Sequence, residues 1–235
     1  MFFIGPPFGN YVSLPKTVSI KGSYTLEPRG GLFSQILKTL RYNFQYNGWT
    51  NKIGLRNKGI DYVIQQYTKD SIISIAILDA SEIPKILEKI PSDMNIELNV
   101  SCPNAEKHME TNGLSAFLNP TRDWCIVKLS PVCDKRLIDK YYHEGFRQFH
   151  CSNTVPIAQG GLSGKSVMAY NQHLIPYIRN KYPDVTLIGG GGIKSWSDVQ
   201  QYYEMDAKHV AFSTVLFCPY LFGKLYSHII RQSNR

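Results

Sequence analysis

A single α/β domain closed into a barrel of eight parallel strands is the architecture this chain predicts, on three observations. Short runs rich in Val, Ile and Phe alternate with longer amphipathic stretches, the rhythm of repeated βα units rather than of segregated sheets and helices. Eight such runs occur, at residues 2–4, 17–20, 72–77, 96–99, 125–129, 148–151, 185–189 and 209–212. Polar residues suited to chemistry fall at or just beyond the ends of these runs, where a parallel barrel collects its functional groups. The predicted fold is therefore a (β/α)8, or TIM, barrel spanning residues 1–235 as one domain, with no linker, low-complexity segment or repeat beyond the βα rhythm.

Length and composition agree with this. A chain of 235 residues suits one barrel, 43% hydrophobic content supports a core, and 19% charged content argues against disorder. Helices are expected at residues 60–69, 81–90, 134–144, 168–182, 197–205 and 219–232. Ser81 and Ser197 read as N-caps, the latter ahead of Asp198 in the first turn.

The richest segment is Glu97-Leu98-Asn99-Val100-Ser101-Cys102-Pro103-Asn104, which ends an apolar strand with two carboxamides flanking a thiol. Such a loop can hold a planar polar ligand and exchange a proton with it; alone, it is more often a hydrogen-bonded turn with a small packing residue. Asn51, Lys128 and Asn153 fall at other strand ends or adjoining loops. Lys128 lies inside an apolar run, where an inward ammonium needs an anionic or electron-rich partner, and a flavin ring would supply one. Gly189 to Gly192 follow the seventh strand and, with Ser213-Thr214, outline a phosphate pocket in the late strands. Gly160-Gly161-Leu162-Ser163-Gly164-Lys165-Ser166 has Gln159 where a P-loop requires glycine, which excludes nucleotide-triphosphate hydrolysis by that motif.

Lys and Arg exceed Asp and Glu by 8, favouring an anionic ligand, an acidic partner or nucleic acid. The longest basic run is two residues, so the excess reads as a spread, solvated surface, and a nucleic-acid role is disfavoured. The cysteines at 102, 125, 133, 151 and 218 are odd in number and form no Cys-x-x-Cys pair, encoding neither a disulfide framework nor a zinc site. No metal is expected. Without a signal-like N-terminus or an apolar stretch of membrane-spanning length, the expectation is a soluble cytoplasmic protein with no membrane partner.

Taken in order, several segments resemble the FMN-dependent dihydroorotate dehydrogenase family, closer to its soluble class 1 branch than to class 2. They are residues 20–29, Thr50-Asn51-Lys52-Ile53-Gly54-Leu55-Arg56-Asn57, the loop from Asn99 to Asn104, Ile126-Val127-Lys128-Leu129, Ser152-Asn153-Thr154, Gly160-Gly161-Leu162-Ser163-Gly164, Gly190-Gly191-Gly192-Ile193 and Phe212-Ser213-Thr214. The resemblance implies FMN across the barrel mouth, with dihydroorotate or orotate stacked on it. It places substrate binding on Asn51, Gly54, Leu55, Asn99, Asn104, Asn153 and Thr154. It places FMN contacts on Lys21, Asn99, Lys128, Gly161, Gly164, Gly191, Gly192, Ser213 and Thr214. Cys102 takes the class 1 base position, removing a proton from C5 while hydride leaves C6 for flavin N5. Carboxamides suit orotate because its edge alternates donors and acceptors. A homodimer is the conventional class 1 assembly, and fumarate, a quinone or a partner iron–sulfur subunit all remain open as electron acceptors.

The chain also departs from the family pattern. Gly5-Pro6-Pro7-Phe8-Gly9 replaces the usual small-residue turn after the first strand, and Gly30-Gly31-Leu32-Phe33-Ser34 stands where a Gly-Asn-Pro-x-Pro-Arg stretch is expected. Lys21 is one residue further from Thr25 than the pattern asks, and the short chain implies trimmed loops and a more open site. Two other readings stay in play: a related flavin barrel that reduces uridine in transfer RNA, and a non-catalytic flavin-binding barrel.

Overall fold

The computed structural model describes residues 1–101 and 111–233. Eight parallel strands close a barrel: β1 (Phe2–Ile4), β2 (Thr17–Tyr24), β5 (Ser71–Ile75), β6 (Ile96–Asn99), β7 (Cys125–Leu129), β8 (Gln148–Cys151), β11 (Thr186–Gly190) and β12 (His209–Phe212). Each pairs with its sequence neighbours in the barrel, and β12 returns to β1 with Phe2 opposite Val210 and Ile4 opposite Phe212. Around it run α2 (Ile60–Ile64), α3 (Glu82–Lys89), α4 (Lys135–His143), α5 (Lys165–Lys181), α6 (Trp196–Glu204) and α7 (Pro219–Ser233). Among the described residues no helix is long and apolar enough to cross a membrane.

The expected repeats are not all complete. Between β1 and β2 only a 3-10 turn at Phe8–Asn10 forms, because Pro6, Pro7 and Gly9 deny an α-helix its donors and its backbone stiffness. The described part of the β6–β7 connection likewise holds a 3-10 turn, Leu114–Phe117. The cap expected at Ser197 belongs to Ser195, whose hydroxyl accepts from the Asp198 amide while Asp198 answers the Ser195 amide in a capping box. Ser81 does occupy the position before α3, but its hydroxyl donates to Asp79 and caps nothing.

A second, antiparallel sheet sits over the barrel's carboxyl end, in the order β3 (Arg41–Asn43), β4 (Gly48–Asn51), β10 (Gly160–Gly164), β9 (Val155–Ile157). It joins segments more than a hundred residues apart, with Gly161 opposite Asn51 and Gly164 opposite Gly48. Helix α1 (Leu32–Thr39) leans against it and buries none of its residues.

Strand periodicity explains where the cavity begins. Phe3, Ile20, Ile72, Ile126, Ile188 and Ala211 form one inward layer that plugs the barrel, backed by Trp124 stacked edge-on against Phe3. Side chains two residues further along a strand point the same way. Those positions are Gly5, Gly22, Ser74, Lys128, Gly190 and Ser213, all small or polar. The apolar plug therefore ends one layer below the carboxyl ends, and a polar floor takes its place.

Candidate active site

Above that floor opens a cavity of about 550 Å³. Lys21, Asn99, Lys128, Asn153 and Thr154 reach it from β2, β6, β7 and the segment after β8, and Asn51 and Leu55 from β4 and the loop beyond it. Gly164, Gly191, Gly192, Ser213 and Thr214 line its far side. Gly54 and Gly161 are not among the lining residues; Gly161 is held inside β10, in register with Asn51 on one side and Pro156 on the other. Cys102 and Asn104 lie outside the described residues.

The glycines on the far side are bare because a helix packs on them. A Cβ on Gly191 would meet Val167 Cγ1 at 2.4 Å, and one on Gly192 would meet the Gly164 carbonyl at 2.9 Å; both have positive φ, at 97° and 77°. This close approach brings the N-terminal end of α5, at Gly164 and Val167, to the cavity wall beside Ser213 and Thr214. Helix N-termini and glycine loops favour anions.

The floor holds a charge that sequence reading passed over. Glu97 is fully buried on β6, with Oε1 2.8 Å from Ser74 Oγ and 3.5 Å from Lys128 Nζ, and Oε2 2.7 Å from His150 Nδ1. Lys128 thus finds its anionic partner within the protein. Burial alone would raise the Glu97 pKa, but Lys128, His150 and Ser74 outweigh it and draw the carboxyl down to about 2. Burial holds His150 below the ordinary histidine range against the pull of Glu97, leaving a neutral ring whose Nδ1 proton serves the carboxylate. The signal for both residues was that of Lys128, an ionisable side chain inside an apolar strand.

From Glu97 a hydrogen-bonded line climbs to the mouth. Ser23 and Ser74 hydroxyls lie 3.0 Å apart, Asn99 Nδ2 donates to Ser23 Oγ at 2.8 Å, and Asn153 Nδ2 donates to Asn99 Oδ1 at 3.0 Å and to the Ser101 carbonyl at 3.0 Å. Deeper support comes from Asn171, fully buried on α5, whose amide donates to the carbonyls of Cys151 and Gly190 and so ties the ends of β8 and β11. Asn10 does the same for β2, accepting from the Gly22 amide at 2.8 Å.

Of the described thiols, burial pushes Cys125 up to about 12 and Cys133 to about 11, and Cys151 rises too. Protonated, with Cys125 and Cys151 buried and Cys133 half-buried, these three are packing groups rather than bases. Cys125, Cys133, Cys151 and Cys218 are free, and no cluster of three His, Cys, Asp or Glu among the described residues could hold a metal.

One stretch of the chain is strongly basic. Residues 28–60 contain six Lys or Arg and no Asp or Glu, against a net excess of 8 for the whole chain. Arg56 and Lys58 of this stretch line the cavity, a cationic collar on a charge otherwise spread along the chain. An aromatic wall runs beside it, from exposed Phe44 through Tyr42 and Trp49 to Phe217, with successive ring centroids 5.1, 5.4 and 4.6 Å apart.

A closed parallel barrel whose carboxyl end opens into a cavity lined by carboxamides, glycines and hydroxyls defines the class, a (β/α)8 barrel. The comparisons with known proteins narrow it. The dihydroorotate dehydrogenase family profile matches residues 17–232, and the chain belongs to that family, whose members are oxidoreductases. It is 27% identical over 256 residues to the catalytic subunit of dihydroorotate dehydrogenase B (NAD(+)) of Bacteroides thetaiotaomicron, covering 92% of this chain and 81% of that one. The protein of the same name from Alkaliphilus metalliredigens is 29% identical over 253 residues, with the same coverage. Among solved structures, the DHODH of Eimeria tenella in complex with ferulenol superposes with a TM-score of 0.71 at 15% identity, over 92% of this chain and 75% of that one, a likeness of fold.

Proposed function

We propose that this chain is an FMN-dependent dihydroorotate dehydrogenase, oxidising (S)-dihydroorotate to orotate in de novo pyrimidine biosynthesis. The observation that carries the reading is convergence: Asn51, Asn99, Asn153 and Lys128, from four separate segments, face one cavity whose far wall is glycine and hydroxyl. The residues fit FMN. Gly164, Gly191, Gly192, Ser213 and Thr214 suit its phosphate and ribityl chain, and Lys128 suits the electron-rich edge of its ring. FMN, when bound, supplies the acceptor for the hydride that leaves C6.

The chain's own residues do the rest. The amides of Asn51, Asn99, Asn104 and Asn153, with Thr154, hold the alternating edge and carboxylate of the substrate and reject analogues lacking them. The Cys102 thiolate takes the proton from C5. The cationic collar draws an anionic substrate inward. The relatives' names carry NAD(+) and the words catalytic subunit, which favours NAD+ as final oxidant with a further subunit between.

Anaerobic mixing with dihydroorotate, followed at the flavin absorbance, tests this. The parent protein purifies yellow and bleaches; Cys102→Ser keeps its FMN and loses about 10²–10⁴ in bleaching rate. Purification without flavin, or a yellow protein that dihydroorotate does not bleach, overturns the reading. The cationic collar also suits a barrel that reduces uridine in transfer RNA, and a flavin that NADPH reduces and transfer RNA reoxidises, with no response to dihydroorotate, is the outcome that would favour it.

A further inference from the structure

The line from Glu97 to the mouth has a direction, which follows from what each group can donate. A carboxylate only accepts. Ser74 must therefore give its single proton to Glu97 Oε1, 2.8 Å away, and can only accept from Ser23 at 3.0 Å. Ser23, its proton so committed, accepts from Asn99 Nδ2 at 2.8 Å, which leaves Asn99 Oδ1 to accept from Asn153 Nδ2 at 3.0 Å. Asn153 Oδ1 is then the end that takes the Thr154 amide at 2.9 Å. A carboxamide can ordinarily turn over and exchange its donor and acceptor ends. Here backbone groups fix Asn153, the Ser101 carbonyl on Nδ2 and the Thr154 amide on Oδ1, and the buried anion holds Asn99 to the same sense from below through Ser74 and Ser23.

The same carboxylate stands behind Lys128. Its Oε1 lies 3.5 Å from the ammonium, while His150 braces Oε2 at 2.7 Å, so the cation that lines the cavity is both aimed and partly neutralised from below. We infer that Glu97, braced by His150, is a positioning residue with two arms: one sets the charge that Lys128 presents to a bound flavin, and the other, through Ser74 and Ser23, anchors the amide of Asn99 beneath the substrate. Glu97 lines no part of the cavity and acts through other side chains. The inference rests on the flavin reading above.

The arms separate by mutation of the holoenzyme. Glu97→Gln keeps the shape, removes the negative charge and supplies a group that can donate as well as accept, so both arms fail: the flavin midpoint potential rises and the dissociation constant for orotate, read from the flavin spectrum, increases about tenfold or more. Ser74→Ala cuts only the amide arm, weakening orotate about tenfold with the potential unchanged. Thermal melting of each holoprotein checks folding, and if Glu97→Gln does not fold, Ser74→Ala decides the amide arm and Glu97→Asp, whose shorter carboxylate stands further from Lys128, decides the flavin arm by a rise in potential. A yellow protein in which the folded variants match the parent in both potential and orotate affinity overturns the inference and leaves the flavin reading intact. A parent protein that purifies without flavin overturns the flavin reading instead.

Discussion

Two walls of one cavity are built by different means. The floor is made by neighbouring parallel strands whose inward side chains change from Ile72, Ile126 and Ile188 to Ser74, Lys128 and Gly190 over a single step of two residues. The rim is made by β3, β4, β9 and β10, strands of three to five residues drawn from either side of the barrel's middle. The floor is buried and its charges answer one another; the rim is cationic, aromatic and open, with Phe44 88% and Phe33 74% exposed. The contrast teaches that this site is stiff where it meets a ligand from below and loosely founded where a ligand enters.

That contrast can be broken by experiment, most strongly at the floor. Lys128→Met leaves Glu97 buried without its cation and should cost about 3–5 kcal/mol in urea denaturation; Glu97→Gln added to it should recover most of the loss. A small effect of Lys128→Met would mean that His150 and Ser74 suffice for the carboxylate. At the join between walls, a Cβ on Gly48 would lie 2.3 Å from the Ser163 carbonyl, so Gly48→Ala should cost about 1–3 kcal/mol locally. Hydrogen exchange would show it as faster exchange at Trp49 to Asn51 with β6 and β7 still protected, and uniform loss of protection would instead make the rim part of the barrel's cooperative unit. Smallest should be Phe44→Ser on the rim, within about 0.5 kcal/mol in the same denaturation. A larger value would show that the aromatic wall holds the hairpin in place.

Sequence reading succeeded where structure is periodic. The bounds of β1, β6, β7, β8 and β12 coincide with the predicted runs, because buried parallel strands are unbroken apolar runs ended by polar or glycine residues. Helix α2 stops at Ile64, five residues early, and α5 starts at Lys165, three early; neither end carries a side-chain cap that could have marked it. The rim sheet went unread because its strands are too short for a period, and Gly160 to Gly164 looked like a loop until paired with β4. In the site, the carboxamides and Lys128 were legible as polar groups at strand ends. Ser74 and Ser23 were not, since each matters through a partner on another strand, and Glu97 carried the same signal as Lys128 without being read.

The pairing of β4 with β10 carries a consequence for how the molecule comes to be. Gly48 meets Gly164, 116 positions further along the chain, a far wider loop to close than any step between successive barrel strands. A nascent chain that has not yet reached β10 can already zip its first strands together, yet it has no mate for that hairpin. Competence to capture a ligand therefore waits until the distant ribbon arrives to complete the entrance.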